Sequence, residues 1–208
     1  MHHRFCVAPM MDITDRHERY FLRALTNEAQ LYTEMINVNA ILYGNTEKLL
    51  KFNQCEHPLG IQLGGSDPSK LGEAALIAES FGYDEINLNI GCPSERVQKG
   101  SFGACLMQDP ELVKDCIVAM QEVTTTPVTV KCRIGVNDRD DIDFLNNFVS
   151  KILTPSLKTL IVHARVAILK GLTPRQNRQI PPLKYDNVYQ LKDEFPDLEV
   201  VINGGIKD

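Results

Sequence analysis

The sequence predicts an α/β protein, a (β/α)8 TIM barrel present in seven of its eight units. Two observations lead there. Short apolar strand-like runs alternate with helical stretches along the whole chain, and polar residues able to do chemistry recur at the carboxyl ends of those runs. Units strung in series in this way favour a barrel over an open doubly wound sheet.

The first unit opens with 4–8 (RFCVA), a short strand, followed by Pro9-Met10-Met11 and a helix capped by Thr14 or Asp15. The helical spacing of Tyr20, Phe21, Ala24 and Leu25 puts them on one apolar face. A second strand, 31–36 (LYTEMI), leads into a helix over 40–53. A third, 59–63 (LGIQL), stops at Gly64-Gly65, and Ser66 or Asp67 caps a helix over 68–81. The fourth strand is the alternation Ile86-Asn87-Leu88-Asn89-Ile90, which ends at Gly91-Cys92-Pro93 and passes into a long polar loop containing Gly100 and Gly103. A helix over 111–124 follows, then a fifth strand, 127–134 (PVTVKCRI), and a helix over 141–152. The sixth strand, 159–162 (TLIV), delivers His163-Ala164-Arg165. A Pro- and Arg-bearing loop over 170–185 precedes a helix near 186–194, and the seventh strand, 198–202 (LEVVI), runs into Asn203-Gly204-Gly205. Most strands read as nearly continuously apolar, as expected when both faces are covered. The count is one unit short, and 208 residues lie below the roughly 250 usual for such barrels, so 1–208 is expected to be one partial domain.

Composition bounds the function. Lys and Arg number 22 against 27 Asp and Glu, a formal charge of −5, which argues against whole-surface attraction to nucleic acid but leaves room for a local basic strip. No signal-peptide pattern and no long apolar run is present, so a cytoplasmic protein without membrane association is expected. The six cysteines have no CxxC or framework spacing, as in a reduced chain. Five of them, Cys6, Cys55, Cys105, Cys116 and Cys132, read as small buried hydrophobes. No spacing of metal ligands is found, and no metal is expected.

The strand ends supply Pro9-Met10-Met11, Glu34, Gln62, Asn89 with Cys92, Lys131 with Arg133, His163 with Arg165, and Asn203-Gly204-Gly205. In a barrel these converge on one face, where active sites sit. Lys131, inside an otherwise apolar strand, must reach a buried anion, the open face or an acid such as Glu34. Asn203-Gly204-Gly205 offers backbone N–H groups that suit a phosphate, although such a triplet also suits a plain turn. Gln62 can bond a pyrimidine-like edge, and Lys131 can stabilise an anionic ring. The backbone of Pro9, Met10 and Met11 can lie along a flat face. Together they fit a phosphorylated, planar, electron-accepting cofactor, flavin mononucleotide (FMN).

The segments VAPMMDITDRHERYF, LYTEMI, IQLGGSDP, GYDEINLNIGCPSERVQKGSFGACLM, PVTVKCRIG, VHAR, KGLTPRQNRQIPPL and VINGGI resemble the tRNA-dihydrouridine synthase family, and the 82–107 and 170–183 segments resemble its bacterial A-type branch. The resemblance implies an FMN-dependent, NADPH-consuming reductase of D-loop uridines in tRNA, at positions such as 20/20a. Matched position by position, it gives flavin contacts to Pro9, Met10, Met11, Gln62, Lys131 and His163, with Asn203, Gly204 and Gly205 at the phosphate. Asn89 would meet the target base and Cys92 would donate a proton. Arg165, Lys170, Arg175, Gln176, Arg178 and Gln179 would face the tRNA. Reduction of the uracil 5,6 double bond needs a hydride at C6 and a proton at C5, and a thiol at a loop tip can supply the proton. Val166 departs from a frequent lysine. The eighth strand and a helical C-terminal tRNA-binding domain are expected to be missing, and a monomer is expected. Two other readings remain open: an FMN barrel reducing a free small molecule, as dihydroorotate dehydrogenases do, and an inactive fragment that only holds tRNA.

Overall fold

In a computed structural model the described residues run from 3 to 207. They form one parallel sheet of six strands in sequential order: β1 (Leu31–Asn37), β2 (Leu59–Gly64), β3 (Glu85–Ile90), β4 (Val128–Arg133), β5 (Thr159–His163) and β6 (Glu199–Asn203). The helices, in chain order, are α1 (Arg16–Leu25), α2 (Val38–Tyr43), α3 (Thr46–Leu50), α4 (Pro68–Phe81), α5 (Glu95–Lys99), α6 (Pro110–Gln121), α7 (Ile142–Ile152) and α8 (Tyr185–Glu194). This is the α/β order of an incomplete barrel.

The strand expected at 4–8 is reduced to a single parallel bridge between Cys6 and Gln30. Gln30 donates to Phe5 O and Val7 donates back to Gln30 O, but the next donor due on that side is Pro9, which has no N–H. The helix expected over 40–53 is broken at Gly44 into α2 and α3 and followed by a 3₁₀ turn at Gln54–Glu56. The loop after Cys92 contains α5, capped by Ser94 Oγ on the Val97 N–H, and a 3₁₀ stretch, Gly103–Gln108.

The register shows which side chains share a face. On β3 to β5, Ile86, Leu88, Ile90, Val130, Cys132, Leu160 and Val162 are fully buried and belong to the core between sheet and helices. The alternate residues, Glu85, Asn87, Asn89, Thr129, Lys131, Arg133, Thr159 and His163, point to the concave side. β3 therefore alternates as its Ile-Asn-Leu-Asn-Ile sequence predicts, whereas β4 and β5, which read as nearly continuously apolar, carry polar residues on the concave face, with Ile161 among them. Tyr32 Oη on β1 donates to Glu85 on β3 at 2.9 Å, although strands two places apart lie roughly 9.5 Å from each other in a flat sheet. His3 reaches Glu85 at 2.8 Å and Glu199 on β6 at 2.9 Å, tying the amino terminus to two strands. The sheet curls around a polar lumen.

Helix α1 also departs from expectation. Its inner face carries Arg19 and Arg23, while Tyr20, Phe21 and Leu25 are 58–68% exposed. Beneath it lie carbonyls and a carboxylate that need donors. Arg19 Nε donates to Glu56 at 2.7 Å and its Nη1 to Thr14 O, and Arg23 donates to the carbonyls of Thr26, Ala29, Glu56 and Pro58.

Candidate active site

An amide ladder crosses the lumen at the carboxyl end of β2 and β3. Gln62 Nε2 donates to Asn87 Oδ1, and Asn89 Nδ2 donates to Gln62 Oε1, both at 2.8 Å. Asn87 Nδ2 donates onward to Thr129 Oγ1. Asn89 Oδ1 accepts the backbone N–H groups of Gly91, at 3.2 Å, and Cys92, at 3.0 Å. The strand therefore ends in a side-chain-capped turn that fixes where Cys92 starts. Gln62 has one amide hydrogen and one carbonyl lone pair left for a ligand, and Asn89 has one amide hydrogen left, its oxygen being fully used. Cys92 is free and half-buried, and Cys92 O accepts the N–H of Ala104. Gly103 closes that turn at φ +76°, and a Cβ there would lie 2.6 Å from Cys92 O, so the loop fold requires glycine.

Cations gather beside the ladder. Lys131 Nζ donates to Asn203 Oδ1 at 3.0 Å, not to Glu34, whose Oε1 accepts the Asp12 N–H. Burial, with Arg133 adding, pushes the Lys131 ammonium down to about 8. Burial likewise pushes Arg133 down to about 10, with Cys92 drawing it the other way and Arg178 and Arg165 adding to the fall. His163 is driven to about 2, first by burial and then by Arg133, Lys131, Arg165 and Arg178. A neutral imidazole thus sits among four cations, and the buried His163 Nε2 and Arg165 Nε have no hydrogen-bond partner among the described residues. Gly204, at φ +104°, packs on this ring so closely that a Cβ would meet Nε2 at 2.7 Å, and Gly205 follows at φ +72°. Asn203, Gly204, His163 and Lys131 are therefore brought together as expected. Unpaired donors, a positive field and side-chain-free backbone fit the phosphate of a flavin nucleotide.

Pro9, Met10 and Met11 form a turn closed by Thr14, whose Oγ1 accepts from Met10 N and whose N–H donates to Met10 O at 3.0 Å. Pro9 and Met10 are half-buried and Met11 is exposed. In the 164–184 segment, Lys170, Arg175, Arg178 and Gln179 are exposed, whereas Arg165 donates to Pro181 O and Gln176 Oε1 is engaged by the Thr173 N–H. Val166 is buried. Two residues here had no sequence signal. Asn177 is fully buried and pins the segment through Ile168 N, Ile168 O and Leu172 O, and Gln98 bridges it to the Cys92 loop. Neither falls on a periodic pattern, and both lie in stretches that read as solvent loops. Of the other cysteines, Cys116 and Cys132 are buried as expected, Cys6 and Cys105 are half-buried, and Cys55 is exposed on a 3₁₀ turn. No described helix is long and apolar enough to cross a membrane, and the described residues hold no His, Cys, Asp and Glu cluster able to bind a metal.

Residues 6–208 match the family model described as Dihydrouridine synthase (Dus). Proteins named tRNA-dihydrouridine(20/20a) synthase are similar throughout. The one from Xanthomonas campestris pv. campestris is 56% identical over 203 residues, which is 98% of this chain and 61% of the relative. That from Pseudomonas putida is 55% identical over 204 residues, again 98% and 61%. The Salmonella typhimurium protein is 54% identical over 206 residues, 99% of this chain and 62% of the relative. The chain thus spans about 61% of the length of these curated relatives.

Proposed function

Because this chain belongs to the dihydrouridine synthase family, we propose that it carries the catalytic barrel of a reductase acting on D-loop uridines of tRNA, at positions 20/20a. The observation that carries this reading is the turn in which Asn89 holds the Cys92 backbone, beside the cations Lys131 and Arg133 and the neutral His163. FMN bound there would supply the hydride for uracil C6, with NADPH as the source of electrons. His163 Nε2 and the backbone at Gly204 and Gly205 would hold the FMN phosphate. Pro9, Met10 and Met11 border the ring system, and Gln62 offers its spare amide hydrogen and lone pair to the ring edge. Lys131, whose Nζ rests on Asn203 Oδ1, would favour negative charge on a bound flavin ring electrostatically.

Asn89 presents its remaining amide hydrogen to a uracil carbonyl and so orients the base. The Cys92 thiol gives its proton to C5 as the C6 bond to hydride forms, and solvent restores the thiol. A uridine must leave the RNA fold to reach this depth. Arg165, Lys170, Arg175, Gln176, Arg178 and Gln179 border the segment that meets the RNA backbone, working in a soluble, cytoplasmic, monomeric enzyme.

The test is dihydrouridine formation in unmodified tRNA with added FMN and NADPH. Cys92→Ala is expected to lower the rate about 100-fold or more while leaving flavin absorbance bands intact. A wild-type protein that leaves tRNA uridines unchanged removes the proposal, and equal turnover of free uridine without RNA replaces it with a small-molecule reductase.

A further inference from the structure

The backbone carbonyls of the two residues flanking Cys92, Gly91 and Pro93, are not held only by their own loop. Gly91 O accepts from Arg133 Nε at 3.2 Å, and Pro93 O accepts from Gln98 Nε2 at 2.8 Å. Each donor side chain also grips the 164–184 segment. Gln98 Nε2 donates its second hydrogen to Leu169 O at 2.8 Å, across 71 residues of sequence, and Arg133 Nη1 donates to Asn177 O at 3.1 Å. Asn177 in turn ties residues 168 to 173 into one unit, and Leu169 N is held by Asn137 Oδ1. A shift of the backbone at 169 therefore cannot leave Pro93 unmoved while the Gln98 bridge is intact.

Beside this bridge the surface opens into a cavity of about 330 Å³ lined by Glu95, Gln98, Lys99, Leu169, Lys170 and Gly171. Its two walls are the two bodies that Gln98 joins: α5 on one side and residues 169–171 on the other. A lysine stands on each wall, opposed by the single carboxylate of Glu95, so an anion seated between the walls is drawn by both and weakly enough to depend on the rest of its molecule.

We propose that Gln98 is a positioning residue that couples RNA-backbone contact at Lys99 and Lys170 to the placement of Cys92. The inference rests on the tRNA reading above. An RNA phosphate entering the cavity draws the walls together, and the Gln98 bridge carries that displacement to Pro93, next to the thiol. Arg133 holds the other side at Gly91, so the motion appears as a rotation of Cys92 and not as a drift of the whole loop.

The test compares wild type with Gln98→Met, which keeps the length of the side chain and donates nothing, and Gln98→Glu, which sets a carboxylate against two carbonyl oxygens. Gln98 is half-buried, and equal thermal midpoints confirm that the variants fold. Cys92 alkylation by iodoacetamide is followed by peptide mapping, with the exposed Cys55 as internal standard. Without RNA, Cys92 in Gln98→Met is expected to alkylate about threefold faster relative to Cys55, and faster still in Gln98→Glu. Unmodified tRNA should change the Cys92 rate in wild type and leave it unchanged in both variants. In turnover, kcat for tRNA should fall about tenfold with KM held within a factor of about two. Unaltered Cys92 alkylation in both variants, or a raised KM with kcat intact, overturns the proposal. A wild type inactive on tRNA would end the functional reading instead, and the RNA-free alkylation rates still judge the bridge.

Discussion

Lys131 illustrates how a side chain proposed to serve a cofactor can work against the fold that holds it. The half-buried ammonium has one neutral partner, Asn203 Oδ1, and is pushed down to about 8 by burial and by Arg133. Removing it should therefore strengthen the unliganded protein while weakening its hold on an anionic cofactor. Lys131→Met is expected to unfold at higher urea concentration than wild type and to bind FMN about tenfold more weakly, the value of one charge-assisted hydrogen bond. Titration of flavin absorbance and a denaturation curve on the same samples check both. Weaker folding together with unchanged flavin affinity would mean that the lysine is structural. Asn89 has the opposite character. Its carbonyl oxygen is already committed to the Gly91 and Cys92 N–H groups, so it builds the site before any ligand arrives.

At the scale of elements, α1 is the most informative. Its helical spacing of Tyr20, Phe21 and Leu25 was legible, but the direction of that face was not, because the space beneath the helix is walled by carbonyl groups and the Glu56 carboxylate. A donor-rich face wins there, since leaving those acceptors dry costs more than exposing three apolar side chains. Arg19→Leu leaves Glu56, which has no solvent exposure, with only its Asn53 contacts. The change is expected to cost about 3–5 kcal/mol of stability, read from the denaturation midpoint. A loss below about 1 kcal/mol would show that Glu56 is readily neutralised.

For the whole molecule, the polar lumen sets how stability responds to pH. His163 is held at about 2 by burial and the surrounding cations, below the ordinary 6.5 it regains on unfolding. Between those values the unfolded chain binds a proton that the folded one refuses, so this histidine makes the fold less stable as pH falls below 6.5. His3 acts in the other direction. Burial opposes its charge, but the Glu85 and Glu199 carboxylates outweigh it and raise its pKa, so its contribution is complete below 6.5 and is lost as pH rises through the folded value. The two are separated by a difference measurement. From pH 6.5 downward, wild type should lose stability relative to His163→Gln at up to about 1.4 kcal/mol per pH unit. Parallel curves would mean that the imidazole is protonated in the fold.

The alternation of strands and helices, the carboxyl-end location of the chemistry and the thiol at Cys92 could all be read from the sequence, because they depend on local period and on residue type. The pairing of Lys131 with Asn203 and the cluster of four cations around His163 could be reached only in outline, as residues at successive strand ends. Tertiary structure alone decided the rest. It reduced the first strand to one bridge because Pro9 offers no donor, turned the arginine face of α1 inward, and decided which face of β3 to β5 lines the lumen. It also set Gln98 of the Cys92 loop against Leu169 O and the Asn177 carbonyl against Arg133. The α1 arginines and Gln98 were settled by the acceptors that the folded chain set opposite them, such as Glu56 and Leu169 O, which lie tens of residues away in sequence.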